Sequence, residues 1–190
     1  MPLFATAILF NTNNYLAHSI NPAVEKIVYL IVFATTYLLP SLTSVLLLQR
    51  GKIQSLNMEQ SHERNIPFLT TMVFYMACFY LLHKIPMVHI LGYAILGAAI
   101  SILISFLINL KWKISIHMVG IGGLLGLLYV FSQQLHFNIL LTLVLVAIVA
   151  GALGSARLAI SNHVPAQIYA GFILGFSVEW IFLKGLEFYG

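Results

Sequence analysis

The chain has 190 residues, of which 61% are hydrophobic and only 7% are Asp, Glu, Lys or Arg, whereas a soluble domain carries roughly 25% charged residues. With a mean hydropathy of +0.98, this composition excludes an ordinary soluble domain and indicates an integral membrane protein. The net charge of +4 is common on membrane loops, and we expect no nucleic-acid partner. The single cysteine, Cys78, excludes an intramolecular disulfide and a CxxC motif.

In chain order, the apolar runs predict a short N-terminal helix over 3–10 and then six membrane-spanning helices. The predicted spans cover residues 27–48, 66–83, 87–110, 115–132, 137–154 and 164–184. Backbone groups must be hydrogen-bonded internally in hydrocarbon, and the alternation of a lipid-facing barrel is absent, so we predict an all-α multi-pass bundle. At roughly 20 residues per span, residues 1–190 form a single domain.

Polar residues gather on one side of this predicted bundle. Three connections, 49–65, 110–114 and 155–163, lie on the same side if each run crosses the membrane once. We call this side the basic face. The orientation stays open, because the positive-inside count of six basic residues against three falls to three against three if three of the six hold a ligand. The polar residues of the basic face are Arg50, Lys52, Glu59, His62, Glu63, Arg64, Lys111, Lys113, His117, Arg157 and His163.

The third connection, "SARLAISNHVPAQIYAG", carries the most specific pattern. N-cap residues before Pro165 predict that the last helix begins near His163, where free backbone N–H groups and the helix dipole favour an anion. Gln167 follows four residues later on the same helix face, close enough to hydrogen-bond an imidazole. Arg157 precedes the helix and is expected in a loop that folds back over its start.

The other two connections repeat this arrangement of basic and polar groups at a helix start. Two arginines, a lysine, a serine and two histidines on one face suit phosphoryl transfer without a metal. Guanidinium groups neutralise phosphate oxygens, one imidazole attacks phosphorus and the other protonates the leaving alkoxide. The residues that "KWKISIHM" and "MEQSHERNIPF" add are Lys113, Ser115, His117, His62, Glu63 and Arg64.

These residues resemble the three motifs of the type 2 phosphatidic acid phosphatase superfamily. "SARLAISNH" is similar to the third motif, Ser-Arg-x5-His, at Arg157 and His163. "ISIH" resembles the second motif, Pro-Ser-Gly-His, at Ser115 and His117. "ERNIP" resembles the first motif, Lys-x6-Arg-Pro, at Arg64, although two predicted spans separate it from the second.

The resemblance implies a cofactor-free membrane phosphatase that acts on lipid phosphates or pyrophosphates, in a bacterial cytoplasmic membrane. It implies His163 as the nucleophile that forms a phosphohistidine and His117 as the general acid. Gln167 stands where the family has an aspartate, and its carbonyl is expected to orient the nucleophile. Glu63 or Glu59 is a further source of a carboxylate, with His62 as supporting neighbour. The residues implied to hold phosphate are Arg64, Arg157, Lys113 and Ser115.

Two other functions fit the same residues, and a plain structural or partner subunit is a third alternative. Because Gln167 replaces the aspartate, the chain suits a lipid-binding or transport protein that has the fold without the reaction. The three histidines of the basic face, with Glu63, also suit a zinc-dependent hydrolase, although no short metal motif such as HExxH is present. Glu179 lies about 24 Å along the last helix from His163, so we expect it to be a buried hydrogen-bonding group or part of a separate polar pathway.

Overall fold

The structure is a computed structural model that describes residues 1–12, 18–56, 58, 60–86, 88–134, 139–160 and 164–187. Within these residues the chain forms seven α-helices and no β-strand. Helices α2 to α7 are long and apolar enough to cross a membrane, which confirms the all-α multi-pass fold with its short N-terminal helix. The helices are α1 (Pro2–Asn11), α2 (Pro22–Gln49), α3 (Asn65–His83), α4 (His89–Asn109), α5 (Ile116–Gln134), α6 (Leu140–Ile160) and α7 (Pro165–Glu187).

The helices agree with the predicted spans to within three residues, except that α2 begins at Pro22, five residues before the predicted start at 27, and that α6 ends later than predicted. This helix continues to Ile160, six residues beyond the predicted end at 154. Alanine, leucine and arginine favour helix after the purely apolar run has ended, and the Ser155 hydroxyl bonds the carbonyl of Gly151 one turn earlier. The prediction that Arg157 lies in a loop is therefore wrong, because Arg157 is in the last turn of α6.

Helices α4 and α5 form the centre of the bundle, and α2 and α6 lie at its outside. The closest interface joins α5 to α7, which run parallel because α6 returns the chain between them. A Cβ atom on Gly126 would lie 2.7 Å from the carbonyl oxygen of Phe176, and one on Gly171 would lie 2.7 Å from that of Ser115. Their GxxxG partners, Gly122 and Gly175, face backbone equally closely. The predicted packing role of these glycines is confirmed.

Two contacts tie the connections of the basic face together. Asn109, the last residue of α4, donates its Nδ2 hydrogen to the carbonyl oxygen of Ser61 at 2.8 Å. The backbone N–H of Ser115 donates to the carbonyl oxygen of Gln167 at 3.4 Å. These bonds bring the starts of α3, α5 and α7 to one place.

Candidate functional site

Arg64 lies directly before α3 and is held by hydrogen bonds to two backbone carbonyls. One carbonyl is in its own connection and the other is in the connection between α4 and α5. Its Nε donates to the carbonyl oxygen of Met58 at 2.8 Å, and its Nη1 donates to that of Ile114 at 3.4 Å. Only 7% of the residue is exposed, and these bonds engage two of the five guanidinium N–H donors. Arg64 therefore lies beside the residue that precedes Ser115, although two spans separate them in sequence.

The backbone of Met58 is strained at this contact. Its φ is 47°, in the left-handed region that costs a residue with a Cβ atom roughly 1 kcal/mol. This conformation presents the Met58 carbonyl to Arg64. The left-handed backbone conformation of Met58 thus helps to hold the Arg64 guanidinium in place.

Glu63 holds the first connection in shape. Its Oε1 accepts from the N–H of Gln54 at 2.6 Å and its Oε2 from the N–H of Gln60 at 3.4 Å. The Gln60 side chain accepts from the N–H of Glu63 in return, which completes a capping box. The Glu63 carboxylate, predicted as catalytic support, is thus engaged by the loop that carries Arg64, and the neighbouring His62 is exposed.

Ser115 lies directly before α5, and its hydroxyl is buried. Its carbonyl oxygen accepts from the N–H groups of Met118 and Val119, each at 3.0 Å, and so starts the helix. Its Oγ has no hydrogen-bond partner within the described part of the chain. A buried hydroxyl in this state can donate to a ligand. His117 lies in the first turn of α5, as predicted, and its side chain is exposed.

Gln167 lies in the first turn of α7. Its Oε1 accepts from the N–H of Val164 at 3.2 Å, so the side-chain carbonyl supports the start of the helix. This is the group predicted to orient His163. Residues 161–163 lie outside the described residues, and the role of Gln167 at His163 stays a prediction.

Arg157 approaches Arg64 from the last turn of α6. The two guanidinium groups are close enough for their charges to interact, and like charges at short range repel each other. A phosphate between two arginines offsets this repulsion and accepts charge-assisted hydrogen bonds from both. The pair is therefore an electrostatic site for an anion.

A cavity of about 450 Å³ begins at these arginines and extends into the membrane-spanning part of the bundle. Arg64, Arg157 and His117 border it at the basic face, and apolar residues of α1, α3, α4 and α5 form most of its wall. Its border runs from Ile116 to Leu127 on α5, which is about 16 Å along the helix axis and roughly half of the hydrocarbon thickness. We call this space the central cavity.

Glu179 also borders the central cavity, at the level of Gly123 in α5 and Gly97 in α4. The prediction that Glu179 is distant from the phosphate end is compatible with its depth, but a separate polar pathway is wrong, because Glu179 shares its cavity with Arg64 and Arg157. Sequence analysis missed this cavity. The available signal was the row of small or polar residues at every fourth position of α4, namely Gly97, Ser101, Ser105 and Asn109, of which Ser101 borders the cavity and Gly97 faces the carboxyl group of Glu179.

The remaining predicted residues lie away from the cavity border. Lys113 is half-buried in the second connection. The predicted residues that do not border the central cavity are Lys113, Ser115, Gln167, His62 and Glu63. Within the described ranges, His, Cys, Asp and Glu side chains form no group of three that could hold a metal ion. The zinc set proposed from sequence includes His163, which lies outside those ranges.

Comparison with known proteins found no match for this chain. No protein-family model matches the chain, and neither a curated protein nor a solved structure matches it. The site is therefore interpreted from its own residues.

Proposed function

We propose that this multi-pass membrane protein is a metal-independent phosphatase of lipid phosphates or pyrophosphates, of the bacterial cytoplasmic membrane, that acts through a phosphohistidine. The observation that carries the proposal is the convergence of Arg64, Arg157 and His117 at one end of a mostly apolar cavity. Guanidinium groups bind phosphate with two parallel hydrogen bonds. The apolar wall suits the hydrocarbon tail of the same molecule.

In the proposed reaction, Arg64, Arg157 and the Ser115 hydroxyl bind the phosphate oxygens, and Lys113 adds positive charge at the edge of the site. An imidazole nitrogen of His163 attacks phosphorus, which forms a P–N bond as the P–O bond to the lipid breaks. The leaving alkoxide takes a proton from the His117 imidazolium. Water then attacks phosphorus and gives its proton to His117 as the P–N bond to His163 breaks. This step releases phosphate and restores both histidines.

A lipid-binding protein without turnover is the second candidate. The observation that favours it is the hydrogen bond from the N–H of Val164 to Oε1 of Gln167. This bond engages the atom that must support an imidazolium at His163, and a neutral amide gives that charge less support than the aspartate of the resembled family. Binding by Arg64 and Arg157 does not depend on this support.

The test is phosphate release from a panel of lipid phosphates and pyrophosphates by purified protein in excess EDTA. We expect turnover to persist in the chelator and to fall at least ~10³-fold in His163→Ala. The matched control is His89→Ala, an exposed histidine at the start of α4 on the opposite side of the membrane, which we expect to change turnover less than about twofold.

Each outcome separates the candidates. Activity that is lost in EDTA and restored by zinc overturns the metal-independent reaction. Tight binding of lipid phosphates with no release of phosphate favours the second candidate.

A further inference from the structure

The deep end of the central cavity contains buried polar groups that the proposed reaction does not use. Glu179 is 3% exposed and Ser101 is 4% exposed, and both border the cavity. Among the described residues, neither Oε2 of Glu179 nor Oγ of Ser101 has a hydrogen-bond partner. Buried polar atoms in this state are rare in proteins and indicate a bound water or ligand group.

The helices around Glu179 leave space for its carboxyl group. A Cβ atom on Gly97 would lie 2.6 Å from Oε2 of Glu179, and one on Gly123 would lie 3.4 Å from its Cγ. Alanine at position 97 would displace the carboxyl group. Tyr75, which also borders the cavity, is close enough to interact electrostatically with Glu179.

The distance between the arginines and Glu179 sets the length of a ligand that can contact both. Ser101 lies one helical turn from Gly97, on the same face of α4, toward the arginines. The cavity border measures about 16 Å along α5 from the basic face to its deep end. Glu179 lies level with Gly123, which is seven residues and about 10 Å along α5 from Ile116. A ligand that contacts both the arginines and Glu179 therefore has its anion and its second polar group separated by about 10 Å.

We propose that Glu179 and Ser101 form a subsite for a hydroxyl group near the far end of a single-chain lipid phosphate. This inference rests on the proposed function for the phosphate end of the ligand. A hydroxyl both donates and accepts, so it satisfies a carboxyl group and a serine hydroxyl together. A hydroxyl also brings no net charge into the membrane-spanning part of the bundle, where a charged group is costly. The volume of about 450 Å³ is that of a site for one small ligand.

The experiment compares the binding of three lipids in phosphatidylcholine nanodiscs: octyl phosphate, its terminally hydroxylated analogue and its mid-chain hydroxylated analogue. An extended octyl chain is about as long as the distance from the basic face to the level of Glu179. The protein carries His163→Ala, so that the ligand is not consumed. We expect the terminal hydroxyl to lower the dissociation constant about fivefold relative to octyl phosphate, because it satisfies a buried carboxyl group. The mid-chain hydroxyl is expected to give no gain.

Variants of Glu179 test whether this residue causes the preference for the terminal hydroxyl. Glu179→Gln retains donor and acceptor atoms and is expected to keep the preference, whereas Glu179→Leu is expected to abolish it. Glu25→Leu is the control, because this carboxylate at the start of α2 does not border the cavity. Equal binding of the first two lipids by the protein with Glu179 intact overturns the inference, and that comparison needs no Glu179 variant to fold.

The inference and the proposed function fail separately. Turnover of lipid phosphates by the wild-type protein without a preference for the terminal hydroxyl overturns only the subsite. The hydroxyl preference without any release of phosphate overturns only the reaction.

Discussion

At the scale of single residues, Ser115 combines a backbone that the fold uses with a buried side-chain hydroxyl. Its backbone starts α5 and contacts α7, but its buried Oγ has no partner among the described residues. The neighbouring carbonyl of Ile114 accepts from Arg64. The hydroxyl therefore costs the fold a desolvated polar group, and in the proposed function a bound phosphate oxygen offsets this cost.

Replacement of Ser115 by alanine is expected to weaken substrate binding without weakening the fold. No hydrogen bond within the described structure is lost, so the unfolding temperature is expected to fall by no more than about 2 °C. The KM for a lipid phosphate is expected to rise about tenfold, because one donor to phosphate is lost. Steady-state kinetics and thermal unfolding measure the two effects.

The control for this prediction is Ser105→Ala. Ser105 is also a fully buried serine, but its hydroxyl donates to the carbonyl oxygen of Ser101 at 2.7 Å. Its loss is expected to leave KM unchanged within about twofold. An equal rise of KM in both variants would contradict the assignment of Ser115 to phosphate.

At the scale of helices, the parallel pair α5 and α7 positions both ends of the site. Glycines remove the side chains between the two backbones, so the helices approach closely and van der Waals contacts accumulate. This contact sets the start of α7 beside Ser115 and brings Glu179 level with Gly123. Both the phosphate end and the deep end of the cavity thus depend on one interface.

Gly175→Ala is expected to destabilise the protein by at least about 2 kcal/mol, because the added Cβ meets the backbone of Val119 and Gly123, which no rotamer change can relieve. Gly151→Ala is the matched control on α6, where a Cβ meets nothing within 4 Å. There we expect no loss, and a gain of up to roughly 1 kcal/mol from helix propensity. Thermal unfolding in one detergent compares them. Equal stability of the two variants would show that the interface tolerates a methyl group.

At the scale of the whole molecule, the cavity extends from the basic face into the membrane-spanning part of the bundle. Arg64 and Arg157 lie at one end of it and Glu179 toward the other. In the proposed function, a lipid phosphate is expected to enter the cavity tail first, because the phosphate keeps its charge at the basic face and the chain leaves water. The alternating direction of the spans places the three connections of the basic face on one side.

Cysteine labelling tests this arrangement in sealed vesicles. In a Cys78→Ala background, Lys52→Cys and Lys111→Cys lie in exposed connections of the basic face, and Lys84→Cys lies in an exposed connection of the opposite side. We expect a membrane-impermeant maleimide to label the first two from one side only and the third from the other side only. Labelling of Lys52→Cys and Lys111→Cys from opposite sides would show that these two connections do not lie on the same side of the membrane.

The sequence by itself determined the class of the fold and the kinds of residue at its polar face. Apolar runs of membrane length and the cost of unbonded backbone in hydrocarbon leave helices as the solution. The GxxxG pairs were correctly assigned to packing, and His117 was placed at the start of its helix. Such inferences succeed because they depend on local spacing and composition.

Tertiary structure alone decided which distant residues share the site. Arg64 reaches Ile114, Arg157 approaches Arg64 from a helix rather than a loop, and Glu63 is engaged by its own connection. Glu179 borders the same cavity as the two arginines because Gly97 and Gly123 make room for its carboxyl group. These relations depend on how helices pack side by side, and spacing along one chain carries no information about the gap between two helices.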